Sequence, residues 1–246
     1  MIVCDAHVNV PWGQPQLALG EYLRAAEAAG LQAVALVANH SALRDGARQF
    51  LTRINTLGQG RGVRVLAAIQ ADILDSAGRL DLSPEARKQF PLVLAHLSER
   101  TAGVGRDVPV RWERLVDNIF ACLIGAVTSG LCNVLAYPFN LGRFPAPLTP
   151  AQLPVARLEE LGDAMAQAGV VCELSNRAWW WYPDLSVTEF AEEFALVLRA
   201  FSRCGVKFIA GSDATEPSGV GNLRYVERLM RAAGLERSQL VDLTRL

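Results

Sequence analysis

The stretch 63-VRVLAAI-69, followed at once by Gln70, decides the fold. It is short, rich in β-branched and small apolar residues, and continuous rather than alternating, as expected of a parallel strand covered on both faces. Six further runs of the same kind lie on either side of it: Ile2–Cys4, Ala33–Ala38, Leu92–Ala95, Val134–Ala136, Val170–Cys172 and Lys207–Ala210. Between and after them come helix-patterned segments: Leu17–Ala29, Leu43–Leu57, Pro84–Phe90, Trp112–Val127, Pro154–Ala168, Val187–Cys204 and Asn222–Ala233. Glycines at 30, 58, 169, 205 and 234 stand where helix stops are expected. Strands alternating with helices and joined by right-handed crossovers give either an open doubly wound sheet or a closed barrel. Seven units favour the α/β barrel, and 1–246 is read as one domain.

Composition narrows the function classes. The chain is 51% hydrophobic and 20% charged, with no apolar run near the ~20 residues a spanning helix needs. A soluble protein without a membrane partner is therefore expected. The start MIVCDAHVNV lacks the basic and apolar regions of a secretory signal, and a cytoplasmic location is expected. Five cysteines without a CxxC pair read as reduced, mostly buried thiols. A formal net charge of -1 gives no pull toward nucleic acid.

In such a barrel, polar residues just past the strand ends converge on one cavity. Those positions hold Asp5, His7 and Asn9; Asn39 and His40; Gln70 and Asp72; His96; Tyr137; Glu173 and Asn176; and Asp213, Thr215 and Glu216. The chain has only three histidines, and all three are in this set. Imidazoles and carboxylates from different strands suit Zn, Mn or Fe, and a metal-bound water is a ready nucleophile. Hydrolysis is the reaction class this constellation indicates.

Two long loops follow strands: the proline-rich 138–154 and 177–186, which holds Trp179, Trp180, Trp181 and Tyr182. The aromatic run is expected to pack as a lid or to form a subunit contact. Arg44, Arg100, Arg143 and Arg177 lie in segments after strands, where a guanidinium can take a phosphate bidentately. Arg143 and Arg177, flanking the long loops, are the stronger candidates.

The residues now quoted resemble the motifs of the PHP (polymerase and histidinol phosphatase) family. DAHVNV from Asp5 resembles its DxHxH, ANH ending at His40 its TDH, and AIQADILDSAGRLDL from Ala68 its GIEADI segment with a short hairpin. LAHL around His96, AYPFNLGRF from Ala136, ELSN from Glu173 and GSDAT from Gly211 resemble its later motifs in order. The resemblance implies a distorted (β/α)7 TIM-like barrel, two or three metal ions, and hydrolysis of phosphoesters such as histidinol phosphate or nucleotides.

Carried over residue by residue, the metal ligands are His7, His40, His96 and Asp213, and the catalytic set is His7 and Asp213 with Arg143 and Arg177 for the phosphate. Four further ligand positions depart from the family: Asn9, Gln70, Tyr137 and Thr215 stand where it has histidine, glutamate, histidine and histidine, and Asn39 replaces the acid of TDH. Two cations a few Å apart repel unless an anion bridges them, and Gln70 is neutral, so at most one divalent ion (Zn, Mn or Fe) is expected. Asp72 is expected to face the hairpin and Glu173 to pair with an arginine. A mononuclear site and an apo cavity both stay open. The first reading is a metal-dependent phosphoester hydrolase with a degenerate site. The alternative is an inactive barrel acting as a small-molecule binding or interaction module, and an RNA-associated scaffold ranks last.

Overall fold

The computed structural model describes residues 2–12, 19–43 and 46–246. Arg44 and the first residues of the 17–29 segment lie outside them. Seven strands form one parallel sheet in sequential order: β1 (Cys4–Asn9), β2 (Ala33–Asn39), β3 (Arg64–Ile73), β4 (Leu92–Leu97), β5 (Val134–Leu135), β6 (Val171–Ser175) and β7 (Phe208–Gly211). The helices are α1 (Leu19–Ala28), α2 (His40–Leu43), α3 (Ala47–Gly58), α4 (Pro84–Arg87), α5 (Trp112–Thr128), α6 (Val155–Ala168), α7 (Val187–Arg203) and α8 (Arg224–Ala233). The sheet curls until β1 meets the segment after β7, where Asp213 N donates to His7 O at 2.8 Å and Asn9 N to Ala214 O at 2.7 Å. This is the nearly closed α/β barrel expected.

The uninterrupted apolar runs serve two cores. Along β2, Val34, Leu36 and Ala38 belong to the large core between strands and helices. Ala33, Ala35 and Val37 belong to a second core inside the barrel, with Ala6, Leu66, Ala68, Leu92, Leu94, Val134, Ala136 and Ile209. Side chains alternate faces along a strand, so a strand wetted on neither side shows no alternation of polarity. Leu243, fully buried, belongs to the inner core near the chain's end. There Val241 N donates to Phe208 O at 2.7 Å, and Arg64 Nη1 donates to Thr244 O at 2.6 Å.

Several boundaries differ from the sequence reading. β1 begins at Cys4 and runs through Asn9, so Asp5 and His7 lie within a strand rather than beyond one. The segment 84–90 is helical only over Pro84–Arg87. Gly58 stays in α3, and the left-handed turn after it falls to Gly60. Among the described residues no helix is long and apolar enough to cross a membrane, and all five cysteines are unpaired.

One close approach positions part of the site. The hairpin after β3 lies on α5, where a Cβ on Gly78 would fall 2.0 Å from the Gly125 carbonyl carbon. Gly78 also has φ 72°, a conformation that costs glycine little. The hairpin carries Asp81, whose Oδ1 accepts from Asp72 N at 2.8 Å.

Candidate functional site

Inside the barrel, the inward columns of β2, β3 and β4 turn from apolar to polar toward their C-terminal ends. β3 presents Leu66, Ala68, Gln70 and Asp72; β4 presents Leu92, Leu94 and His96; β2 presents Ala33, Ala35, Val37 and Asn39. On β1, Asp5 pairs with Val34 and Val8 with Leu36, which leaves Ala6 and His7 opposite Ala35 alone. Such a bulge re-aims side chains, and it brings His7 into the inner layer directly after Ala6. Gly211 on β7 leaves room there, since its Cβ would lie 2.5 Å from Glu173 Oε1 and 2.7 Å from His7 Cβ.

His7 is fully buried and sits at the hub. Its Nδ1 lies 2.8 Å from Glu173 Oε1. Its Nε2 meets three oxygens: Gln70 Oε1 at 3.1 Å, Asn9 Oδ1 at 3.2 Å and the Tyr137 hydroxyl at 3.3 Å. Tyr137 donates its own hydrogen to Asp213 Oδ1 at 2.5 Å, and Asn9 Nδ2 donates to the same oxygen at 2.6 Å. Asn9 and Tyr137 spend their own donors on Asp213, so each presents an oxygen acceptor to Nε2, which a hydrogen on that nitrogen satisfies. Burial alone would lower the His7 pKa, but the Glu173 carboxylate, helped by Asp213 and Asn9, outweighs it and pushes it up to about 9. Glu173 thus pairs with a histidine, not with an arginine as expected. Its Oε2 is buried with no partner among the described residues.

A second cluster adjoins the first. Gln70 Nε2 lies 3.0 Å from His96 Nε2, so the Gln70 amide stands between His7 and His96. His96 Nε2 is 2.9 Å from Asp72 Oδ1, and Arg100 Nη1 donates to Asp72 Oδ2 at 2.7 Å and Asp81 Oδ2 at 2.8 Å. Burial would raise the Asp72 pKa, but His96 and Arg100 hold it below the usual carboxylate range. The Asp72 side chain thus faces the cavity as well as the hairpin. His40 opens α2 and touches this cluster only at its edge, its Nδ1 3.9 Å from Asp81 Oδ1. Asp81 escaped the sequence reading because it lies beyond a turn; the DSAGRLD spacing, which folds residue 81 back onto residue 72, was the available signal.

Above these residues opens a cavity of about 810 Å³, lined by Asn9, Gln70, Tyr137 and Asp213 of the first cluster, by Asp72 and His96 of the second, and by Arg100, Arg143 and Arg177. Arg143 is exposed and has no partner among the described residues. Arg177 stacks on Trp180, its guanidinium carbon 3.5 Å from the ring centroid, and Nη1 donates to Asp213 O at 3.3 Å. Of the aromatic run, Trp180 and Trp181 line this cavity, while Tyr182 is buried and donates to Phe139 O. Thr215 also lines it, and accepts from Arg177 Nη1.

The four residues proposed as metal ligands are not gathered around one point. His7 and His96 are parted by Gln70, Asp213 is reached through Asn9 and Tyr137, and His40 lies beyond Asp81. Among the described residues, no three His, Cys, Asp or Glu side chains form a group that could hold a metal ion. In this arrangement the described residues do not fit a divalent ion, because no three of these side chains converge on one point.

Comparison with known proteins agrees with the barrel. No family model matches the chain. A solved structure of a provisionally assigned histidinol phosphatase from Listeria monocytogenes superposes with a TM-score of 0.66 at 9% identity, covering 91% of this chain and 99% of that one. The fold is PHP-like. A chain in the structure of archaeal ribonuclease P with mature tRNA matches this PHP-like barrel less closely, with a TM-score of 0.53 at 12% identity over 93% of this chain and 88% of that one. In sequence, the barrel is 23% identical to a protein of Thermoanaerobacter sp. (strain X514) described as a probable phosphatase, over 98% of this chain and 90% of the relative. A probable phosphatase of Acetivibrio thermocellus is 25% identical over 69% of this chain and 60% of its own length.

Proposed function

We propose that this PHP-like barrel binds a phosphorylated small molecule in its strand-end cavity without hydrolysing it at a multinuclear metal centre. The observation that carries the reading is the environment of His7 Nε2, where Asn9, Gln70 and Tyr137 present oxygens in place of ligands. An imidazole that shares its hydrogen in this way has to release it before it can bind a metal or act as a base. Anion recognition has its own support. Arg143 and Arg177 stand on the cavity wall, and among the described residues no carboxylate pairs with Arg143. A guanidinium fork matches phosphate oxygens in geometry and charge.

Calorimetric titration with inorganic phosphate and a panel of small phosphomonoesters tests the reading. Binding that weakens tenfold or more in Arg143→Ala, with unchanged melting temperature, supports it. A parent protein that binds no member of the panel removes it.

A second reading, metal-dependent phosphoester hydrolysis, draws on the nearly end-to-end likeness to probable phosphatases. It requires the Gln70 and Asn9 amides to leave His7 so that His7, Asp213 and His96 or His40 can close on one ion. Phosphoester turnover that a chelator abolishes and a divalent ion restores would establish this reading in place of the first.

A further inference from the structure

The tryptophans at 179–181 form the mount of an arginine. Arg177 immediately precedes a short 3₁₀ helix, Ala178–Trp181. Such a helix has roughly three residues per turn, so side chains three positions apart stand one above the other. Trp180 is three positions from Arg177, and the Arg177 guanidinium lies over its ring, the central carbon 3.5 Å from the centroid. Trp180 is itself backed, since it meets the Trp179 ring edge-on at 6.0 Å and Trp179 meets Tyr225 at 6.5 Å. Trp181 leans on Tyr137 at 6.0 Å, which ties the helix to the floor of the site. One nitrogen of the guanidinium is anchored: Nη1 donates to Asp213 O at 3.3 Å and to Thr215 Oγ1 at 3.4 Å. Neither acceptor is a carboxylate, so the positive charge is not cancelled, and Nε and Nη2 have no partner among the described residues. Arg177 and Trp180 line both the main cavity and a neighbouring pocket of about 420 Å³.

We infer that Trp180 is the positioning residue of the phosphate site: it fixes the Arg177 guanidinium so that Nε and Nη2 form a ready-made fork for two oxygens of a phosphate group. The inference rests on the anion-binding reading and gives that site its geometry. Two parallel N–H groups on one guanidinium edge match two phosphate oxygens. An arginine side chain has much rotamer freedom, and a ligand that must order it binds more weakly for that reason. Stacking on an aromatic face fixes the plane of the guanidinium and leaves its edge open, whereas a carboxylate partner would occupy that edge. Arg143, exposed and without a partner among the described residues, has to be ordered by the ligand. Arg177 is ordered beforehand. The Trp180 ring is 45% exposed, so its place on the cavity wall owes little to core packing.

The test is calorimetric titration of inorganic phosphate into the parent protein, Trp180→Leu, Trp180→Phe, Arg177→Ala and the double variant Trp180→Leu, Arg177→Ala, with melting temperatures read in parallel. Trp180→Leu is expected to bind about tenfold more weakly at an unchanged melting temperature, and Trp180→Phe, which restores a ring face, to stay within about threefold of the parent. In the Arg177→Ala background the same Leu substitution should cost nothing further, because the side chain that Trp180 positions is gone. A Trp180→Leu variant that binds as tightly as the parent would overturn the inference and leave the anion-binding reading standing. An equal loss with and without Arg177 would also overturn it, since Trp180 would then act on the ligand directly. A parent protein that binds no phosphate would remove the anion-binding reading and this inference together.

Discussion

The Tyr137 hydroxyl donates to Asp213 Oδ1 at 2.5 Å, and both residues hold positive φ, 44° for Tyr137 and 55° for Asp213. Strained backbone of this kind costs of order 1–3 kcal/mol per residue and persists where the surroundings over-determine it. Here the constraint is the hydrogen bond together with Asn9, which donates to the same carboxylate oxygen. Tyr137→Phe keeps the buried ring and deletes the donor. A hydrogen bond to a charged acceptor contributes roughly 1.5–3 kcal/mol. Urea unfolding of the variant should show a loss of that size; an unchanged midpoint would mean that the pair is not what holds the two residues.

The His7–Glu173 pair makes stability depend on pH. The His7 pKa is raised in the folded state to about 9 from its ordinary 6.5. A group raised on folding contributes stability that is full below its unfolded pKa and is lost as the pH climbs through the folded value. The melting temperature should therefore fall from about pH 7 to about pH 10, and Glu173→Gln should flatten that fall. Equal slopes in the two proteins would contradict the pairing.

Removing His7 outright should cost more than removing a surface contact. His7→Ala strands the Glu173 carboxylate, already short of one partner, in an environment where it is 2% exposed. Breaking one side of a buried pair costs roughly 3–5 kcal/mol. The double variant His7→Ala, Glu173→Gln should recover part of that loss in chemical denaturation, and failure to recover would argue against direct coupling.

Gly78→Ala tests how the hairpin is seated. The new Cβ meets Gly125 backbone at 2.0 Å and also needs positive φ. Overpacking alone costs about 1–3 kcal/mol, so the variant should melt well below the parent. Because the same hairpin carries Asp81, it should also weaken the Asp72–Arg100–Asp81 cluster. A variant as stable as the parent would show that the hairpin can shift freely.

Much of this molecule was legible in the sequence. The run 63–69 and its six counterparts identify the strands because a strand buried on both faces must be apolar throughout, and all seven fall in one sheet. The positions facing the cavity were also legible, as Asn9, Gln70, His96, Tyr137 and Asp213 line it. The partners were not. Which atom His7 faces depends on a bulge at Ala6 and His7, and no periodicity signals the extra residue. From sequence alone Glu173 reads as an arginine partner, because buried charges are paired, whereas the folded strands place it on His7. The signal that was available is the i, i+2 column: Leu66, Ala68, Gln70 and Asp72 on β3, or Leu92, Leu94 and His96 on β4, already mark one face turning polar.

The most direct test of the account is the metal content of the protein, measured by inductively coupled plasma mass spectrometry after purification without chelator or added metal and again after exposure to Zn²⁺ and Mn²⁺. An amide and phenol network around a hydrogen-bearing His7 predicts no stoichiometric metal in either sample and no change of melting temperature with chelator. A full equivalent or more of Zn, Mn or Fe, lost in His7→Ala, would contradict it and return the barrel to the metal-dependent hydrolases.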